Sequence, residues 1–188
     1  MKIKNLKNTR ILLLVSIFFL SFKTTFAQLN TGAGMVLRTN IENPGINIRG
    51  GYLIDKKINV SLDFTYFLPY KEEGISSKIV ERTNNCLELN LNISYWIDKI
   101  DATTLKIVVY PIAGLNLTVT KESETIKQSS GKLETTSDPN TNIGFNIGGG
   151  VMYKINSINF FAEGKQIIGI NQAALTVGAL ILFKWDAF

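Results

Sequence analysis

The closing stretch Ala174-Leu-Thr-Val-Gly-Ala-Leu-Ile-Leu-Phe183, continued by Lys184-Trp-Asp-Ala-Phe188, decides how the whole chain is read. At period two, Leu175, Val177, Ala179, Ile181, Phe183 and Trp185 share one face. Ala174, Thr176, Gly178, Leu180, Leu182 and Lys184 share the other. A helix needs roughly 20 apolar residues to cross a bilayer, whereas a tilted strand needs about 9–11. The stretch has the length of a membrane-crossing strand.

The chain begins with a targeting pattern. Lys2, Lys4, Lys7 and Arg10 precede the apolar run Ile11–Phe22, and Thr25-Phe-Ala27 supplies small residues before Gln28. This is the layout of a cleaved secretory signal over residues 1–27, followed by one domain over 28–188. The alternative, an N-terminal anchor, has too short an apolar core for a comfortable span. No Cys lies near the cut, so the pattern does not suggest a lipid-modified terminus.

The full chain carries 20 basic and 15 acidic residues, a formal charge of +5. Residues 1–27 hold five of the basic residues and no acid, leaving 15 against 15. The basic character belongs to the leader, and nucleic acid is not an expected partner. A single cysteine, Cys86, permits no internal disulfide. There is no histidine, which removes His-dependent triads, His metal sites and His general bases. No catalytic residue, cofactor site or metal site is expected. The carboxylates Asp63 and Glu88 lie on neighbouring expected strands, where cross-strand pairing with a cation is the plainer role.

Seven period-two segments precede the closing one, making eight. The first spans about Asn30 to Ile41 and turns back through Glu42-Asn-Pro-Gly45. The second alternates over Ile46–Asp55 and the third over Ile58–Leu68. A polar connection over 69–85 leads to the fourth, Leu87–Ile97. The fifth runs over Leu105–Thr118, with a bulge or break expected at Pro111. A long connection over 121–141, rich in Lys, Glu, Ser and Thr, is expected to be mobile. The sixth covers Asn142–Tyr153. The seventh covers Ile158–Glu163 and fades into Gly164–Gly169.

The apolar register of these segments contains no Asp, Glu, Lys or Arg. The charges Arg38, Arg49, Asp63, Glu88, Lys106 and Glu163 all fall on the opposite register, among Asn, Ser, Thr and Gly. On a lipid-facing surface a mid-bilayer Lys or Arg costs roughly 2–4 kcal/mol. A soluble sandwich would carry more Lys and Glu on its polar face. Gly144, Gly148 and Gly150 follow strand alternation and precede no helix, so they suit curvature or close packing better than a phosphate loop. Short turns alternate with longer polar connections, as in outer-membrane barrels. Tyr52, Tyr95, Tyr153 and Trp185 then sit at one depth as an aromatic girdle, with Phe183 beside them and Phe64, Tyr66 and Phe145 towards the other end.

The closing strand resembles the assembly signal of bacterial outer-membrane barrels, read here as Thr176, Gly178, Ile181 and Phe183, with Phe188 as the terminal aromatic. With the strand pattern, the mature chain resembles the small eight-stranded outer-membrane β-barrels, the OmpA-transmembrane/OmpX-like group and porin-family β-barrel domains. The resemblance implies an all-β, antiparallel, up-and-down transmembrane barrel in the outer membrane of a Gram-negative cell. It also implies contact with outer-membrane lipid and insertion by the barrel-assembly machinery. An eight-stranded interior is just wide enough for side chains to fill. Inward Arg49, Asp63, Glu88 and Glu163, with Phe67, Trp96, Tyr110 and Phe161, are therefore expected to plug it, the charges as a lumenal ion-pair network, and the role to be structural, adhesive or surface-interacting. A surface partner would meet residues 121–141, which could equally be a solvated loop without one. The competing reading is a soluble, lipocalin-like barrel binding a small ligand inside.

Overall fold

In a computed structural model the chain is a closed antiparallel barrel of eight strands in sequence order. They are β1 (Gln28–Arg38), β2 (Ile41–Leu53), β3 (Ile58–Glu73), β4 (Ile79–Tyr95), β5 (Ile107–Lys127), β6 (Leu133–Ile155), β7 (Ile158–Ile168) and β8 (Gln172–Lys184). The structure describes residues 28–39, 41–54, 57–73, 79–97, 107–127, 133–155 and 157–184, without the side chains of 42, 79, 80 and 184. Residues 1–27, Lys106, Trp185 and Phe188 lie outside them.

The closing stretch completes the wall. β8 pairs with β1 from Gln28↔Lys184 to Arg38↔Ala174 without a break. Ladder partners followed once round from Phe183 pass through Leu29, Tyr52, Val60, Ile93, Ala113, Ile147 and Gln166. They return to β8 at Ala173, ten residues from the start. That stagger tilts the strands, as closure of a narrow barrel requires.

Alternation places every large side chain. Leu29, Met35, Ile46, Ile48, Leu62, Leu91, Phe145, Leu175, Val177 and Ile181 point outward and are exposed. Asn30, Asn47, Arg49, Asp63, Glu88, Asn90, Asn116, Glu163 and Thr176 point inward and are buried. A water-soluble surface rarely exposes an apolar patch beyond about a few hundred Å². The belt here encircles the molecule, and its natural solvent is lipid. The polar interior is the reverse of what a soluble barrel with an apolar binding cavity requires.

Several expected boundaries are corrected. The first reversal lies at Thr39, between Arg38 and Ile41, and not at Glu42–Gly45. Pro44 instead lies within β2, where the β1–β2 register shifts between Val36 and Arg38 and relieves the ladder of a donor proline lacks. Ile41 accordingly opens β2. The strand containing Pro111 runs against β6 with no shift in register. Its ladder to β4 stops at Ser94↔Ile112 and returns only as the bridge Ile97↔Val109. β7 does not fade at Gly164 but continues to Ile168. The β7–β8 turn uses Gly169 at φ 100° and Asn171 at φ 50°, the left-handed region that glycine and asparagine best tolerate.

The largest correction concerns the polar connections. Most of 69–85 and of 121–141 is strand. β3 continues to Glu73, where it pairs with Glu81, and β5 and β6 remain paired from Val119↔Thr141 up to Lys127↔Leu133. Since β4 and β5 also pair as far as Ile79↔Ile126, these strands rise as one ribbon on one side of the barrel.

Candidate functional site

Two buried ion-pair centres occupy the lumen. At the first, Arg49 on β2 donates through Nε and Nη2 to the two oxygens of Asp63, at 2.6 and 2.8 Å. It also donates through Nη1 and Nη2 to Glu163 across the barrel, at 2.5 and 2.6 Å. The ladder puts Arg49 directly opposite Asp63, so this fork follows from register alone. The Arg49 guanidinium lies 4.6 Å over the Phe161 ring, and Tyr110 donates its hydroxyl to Glu163 at 2.9 Å. Lys165 approaches Asp63 at 3.9 Å, balancing two cations against two carboxylates. Gly150 makes room for this centre, because a Cβ there would lie 2.8 Å from Glu163 and from the Tyr110 ring.

Glu88 is not part of this centre. Its cation is Arg38, which donates to it at 2.8 Å and contacts the Thr118 hydroxyl at 3.3 Å. The four residues expected to pair are thus divided, with Arg49, Asp63 and Glu163 together and Glu88 apart. Asparagines join the two centres. Asn90 donates to Glu88 at 2.6 Å, and Asn146 donates to both Asn90 and Asn92 at 2.8 Å. Asn92 in turn donates to Asp63 at 2.9 Å.

Arg38 and Lys165 are the charged members of these centres that were not expected in the network, whereas Tyr110 was expected among the inward aromatics. Arg38 carried a usable signal, since it already stood on the charged register. Lys165 continues the alternation of Phe161 and Glu163, but Gly164 beside it weakened the strand pattern.

Towards the rim that holds Gln28 and Lys184, the lumen packs Tyr110, Ile112, Met152, Phe161 and Leu180, with Trp96 against them. Between this cluster and Arg49 the free space is about 10 Å³, the room of a single water. The opposite mouth widens into a vestibule of about 530 Å³, floored by Arg38, Phe67 and Cys86 and walled by the ribbon.

Within the ribbon, Arg82 is held by Glu124 at 2.5 Å, which chiefly raises its pKa, and by Glu122 at 3.1 Å. Lys71 at 3.2 Å and the Thr83 hydroxyl at 3.0 Å hold the Glu81 carboxyl below the ordinary glutamate range.

Of the expected assembly residues, Thr176 faces inward and is buried, while Ile181 and Phe183 face outward. Gly178 packs against Gly34 and the Phe161 ring. Tyr52, Tyr95 and Tyr153 lie near the ends of β2, β4 and β6, at the rim of the two strand termini. Among the described residues no group of three or more His, Cys, Asp or Glu could hold a metal, and no helix is long and apolar enough to cross a membrane.

A closed eight-stranded barrel, apolar without and polar within, is the transmembrane β-barrel of the outer-membrane type. No protein-family model and no curated protein matches the sequence. Among solved structures, the chain is similar to the N-terminal β-barrel domain of Pseudomonas aeruginosa OprF, with a TM-score of 0.53 and 12% identity over 83% of this chain and 97% of that one. It is also similar to Ail, the attachment invasion locus protein of Yersinia pestis, with a TM-score of 0.44 and 10% identity over 85% and 97% of the two chains. Neisserial surface protein A gives 0.42 and 15% over 85% and 96%. At 12% identity the likeness to OprF establishes a shared fold, that of the small eight-stranded outer-membrane barrels.

Proposed function

We propose that the protein is an outer-membrane barrel of a Gram-negative cell with a structural or surface-interaction role, its lumen plugged by side chains. Residues 1–27 act as the cleaved export signal. The barrel-assembly machinery inserts the mature chain, reading Thr176, Gly178, Ile181, Phe183 and Phe188. The observation that carries this reading is the pairing of a continuous apolar belt with a neutral, hydrogen-bonded interior. A belt of this kind demands lipid, and an interior of this kind leaves no path for a hydrated solute.

The role is non-enzymatic. A carboxylate that acts as base or nucleophile must be free to exchange protons or attack, and Asp63, Glu88 and Glu163 are each bound to a buried arginine. The working surface is the ribbon, including residues 121–127 and 133–141, which projects beyond the length a strand needs to cross lipid. Fractionation combined with gel mobility before and after boiling tests the reading. The mature protein should be retained in the outer membrane and shift on boiling. A soluble protein with unchanged mobility would send the assignment back to a lipocalin-like carrier.

A further inference from the structure

Two polar residues interrupt the apolar surface that faces lipid. Apart from tyrosines towards its rims, the outward register of the belt holds apolar residues and glycine everywhere except at Thr31 and Gln166. Thr31 is satisfied within the wall, because its hydroxyl donates to the Arg49 carbonyl at 3.1 Å. Gln166 is exposed and has no hydrogen-bond partner among the described residues. Its ladder neighbours are Ile147 on β6 and Ala173 on β8, whose side chains cannot pair with a carboxamide. Ile168 lies nearer the vestibule on the same strand and pairs with Phe145, and both are exposed, so Gln166 lies within the belt and not above it. Two residues of a strand tilted by about 40° place it roughly 5 Å inside the edge of the belt marked by Ile168. The other edge, at Ile158, is about 20 Å away along the membrane normal. This is the depth at which acyl chains join their head groups.

The wall beside Gln166 is hollow. Next along the outward register of β7 come Gly164 and Ala162, and a Cβ on Gly164 would meet nothing within 4 Å. Leu175 and Val177 on β8 stand exposed on one side, and Ile147 and Val151 on β6 on the other. The result is a shallow channel about one strand spacing wide, roughly 4.8 Å, with a carboxamide at its end. A single hydrocarbon chain fits such a channel.

Chemistry selects the occupant. A carboxamide presents two donors and one acceptor oxygen. A diester phospholipid offers only acceptors where its chains join the head group, and would leave the Gln166 oxygen unpaired. An unpaired amide oxygen in an apolar medium is unfavourable. A chain joined through an amide brings both a carbonyl and an N–H to that depth. A second copy of the barrel would also offer a carboxamide, but the ridges of Leu175, Val177, Ile147 and Val151 hold another convex wall away from the channel floor.

We propose that Gln166 and the channel over Gly164 and Ala162 bind a lipid carrying a hydrogen-bond donor where its acyl chain joins the head group, as an amide-linked chain does. The carboxamide pairs with the linkage and the chain lies along β7. The inference rests on the reading above that the belt is immersed in lipid.

The test places the mature barrel, first checked for its heat-dependent gel shift, in nanodiscs of equal parts N-oleoyl sphingomyelin and palmitoyl-oleoyl phosphatidylcholine. These lipids share a phosphocholine head group and differ where the chains attach, an amide and a hydroxyl against two esters. Native mass spectrometry of the released barrel counts the lipids it retains. Retained sphingomyelin should exceed phosphatidylcholine about fivefold, as one additional hydrogen bond implies. Gln166→Leu should return the ratio to that of the nanodisc. Gly164→Val, whose side chain enters open space, should lower sphingomyelin retention and keep the gel shift. Equal retention of the two lipids by the wild type, or a preference unchanged in Gln166→Leu, overturns the site. A dimer that Gln166→Leu dissociates assigns the carboxamide to a second copy and overturns it as well. A protein that never shifts on boiling overturns the barrel reading instead.

Discussion

Arg49 shows why a buried charge can be fixed by register. Its partner Asp63 is its direct cross-strand neighbour, so their pairing was legible in the alternation of β2 and β3. Glu163 comes from a strand 114 residues away, and its approach depends on closure of the barrel. Removing one member of a buried pair leaves an uncompensated charge, which costs roughly 3–5 kcal/mol. Arg49→Met should therefore lower the unfolding free energy in urea by about that amount. Adding Asp63→Asn, Glu163→Gln and Lys165→Met to it should recover most of the loss, because no charge of the centre is then left stranded. An unchanged urea midpoint for Arg49→Met would sink the ion-pair account. Glu88 was assigned to the wrong cation for a local reason. The reversal was expected at Glu42–Gly45, and the true reversal at Thr39 brings Arg38 to the mouth of the barrel, above Glu88.

The ribbon is the element least legible in the sequence. Strands in lipid announce themselves because one register must be apolar. Above the bilayer both faces of a strand can be polar, so Lys121–Lys127 and Leu133–Thr141 look like a loop while forming an unbroken ladder. The barrel should not need them. Replacing residues 121–139 by Asn-Gly leaves Thr120 opposite Asn140 across a two-residue turn suited to hairpins. The remaining strands still exceed the roughly 9–11 residues needed to cross lipid. This variant should reach the outer membrane and keep its heat-dependent gel shift. Failure to insert would mean that the ribbon takes part in assembly.

The ribbon also has its own pH dependence. Glu81 has its folded pKa lowered by Lys71 and Thr83, so its contribution is present above the ordinary glutamate value. That contribution is lost as pH falls through the lowered value. Titration of Glu81 by carboxyl NMR should show the depressed pKa in the wild type and its return towards the ordinary range in Lys71→Ala. An identical titration in both proteins would remove Lys71 as the cause.

At the scale of the whole molecule, the fold was readable because one solvent boundary governs every strand. Lipid outside and a narrow closed space inside impose opposite demands on alternate residues, and the sequence satisfies both for most of the wall. The vestibule was not readable in the same way. Arg38, Gln172 and Asp138 are far apart in the chain, and only closure, together with an unexpected ribbon, places them around one space. The same closure makes a prediction about transport. A permeating ion must pass the Arg49 centre and then the cluster of Tyr110, Ile112, Met152, Phe161 and Leu180, where the free space is about 10 Å³. That is room for a single water and not for a hydrated ion. Passage would require separating Arg49 from two carboxylates and displacing Phe161 from beneath its guanidinium. The folded protein should therefore give no conductance steps in a planar lipid bilayer. Arg49→Ala combined with Phe161→Ala, if still heat-modifiable, should admit ions by removing both the charge bridge and the ring that supports it. Well-resolved steps from the wild-type barrel would show that these side chains leave the path, and the proposed plug would have to be abandoned for a gate.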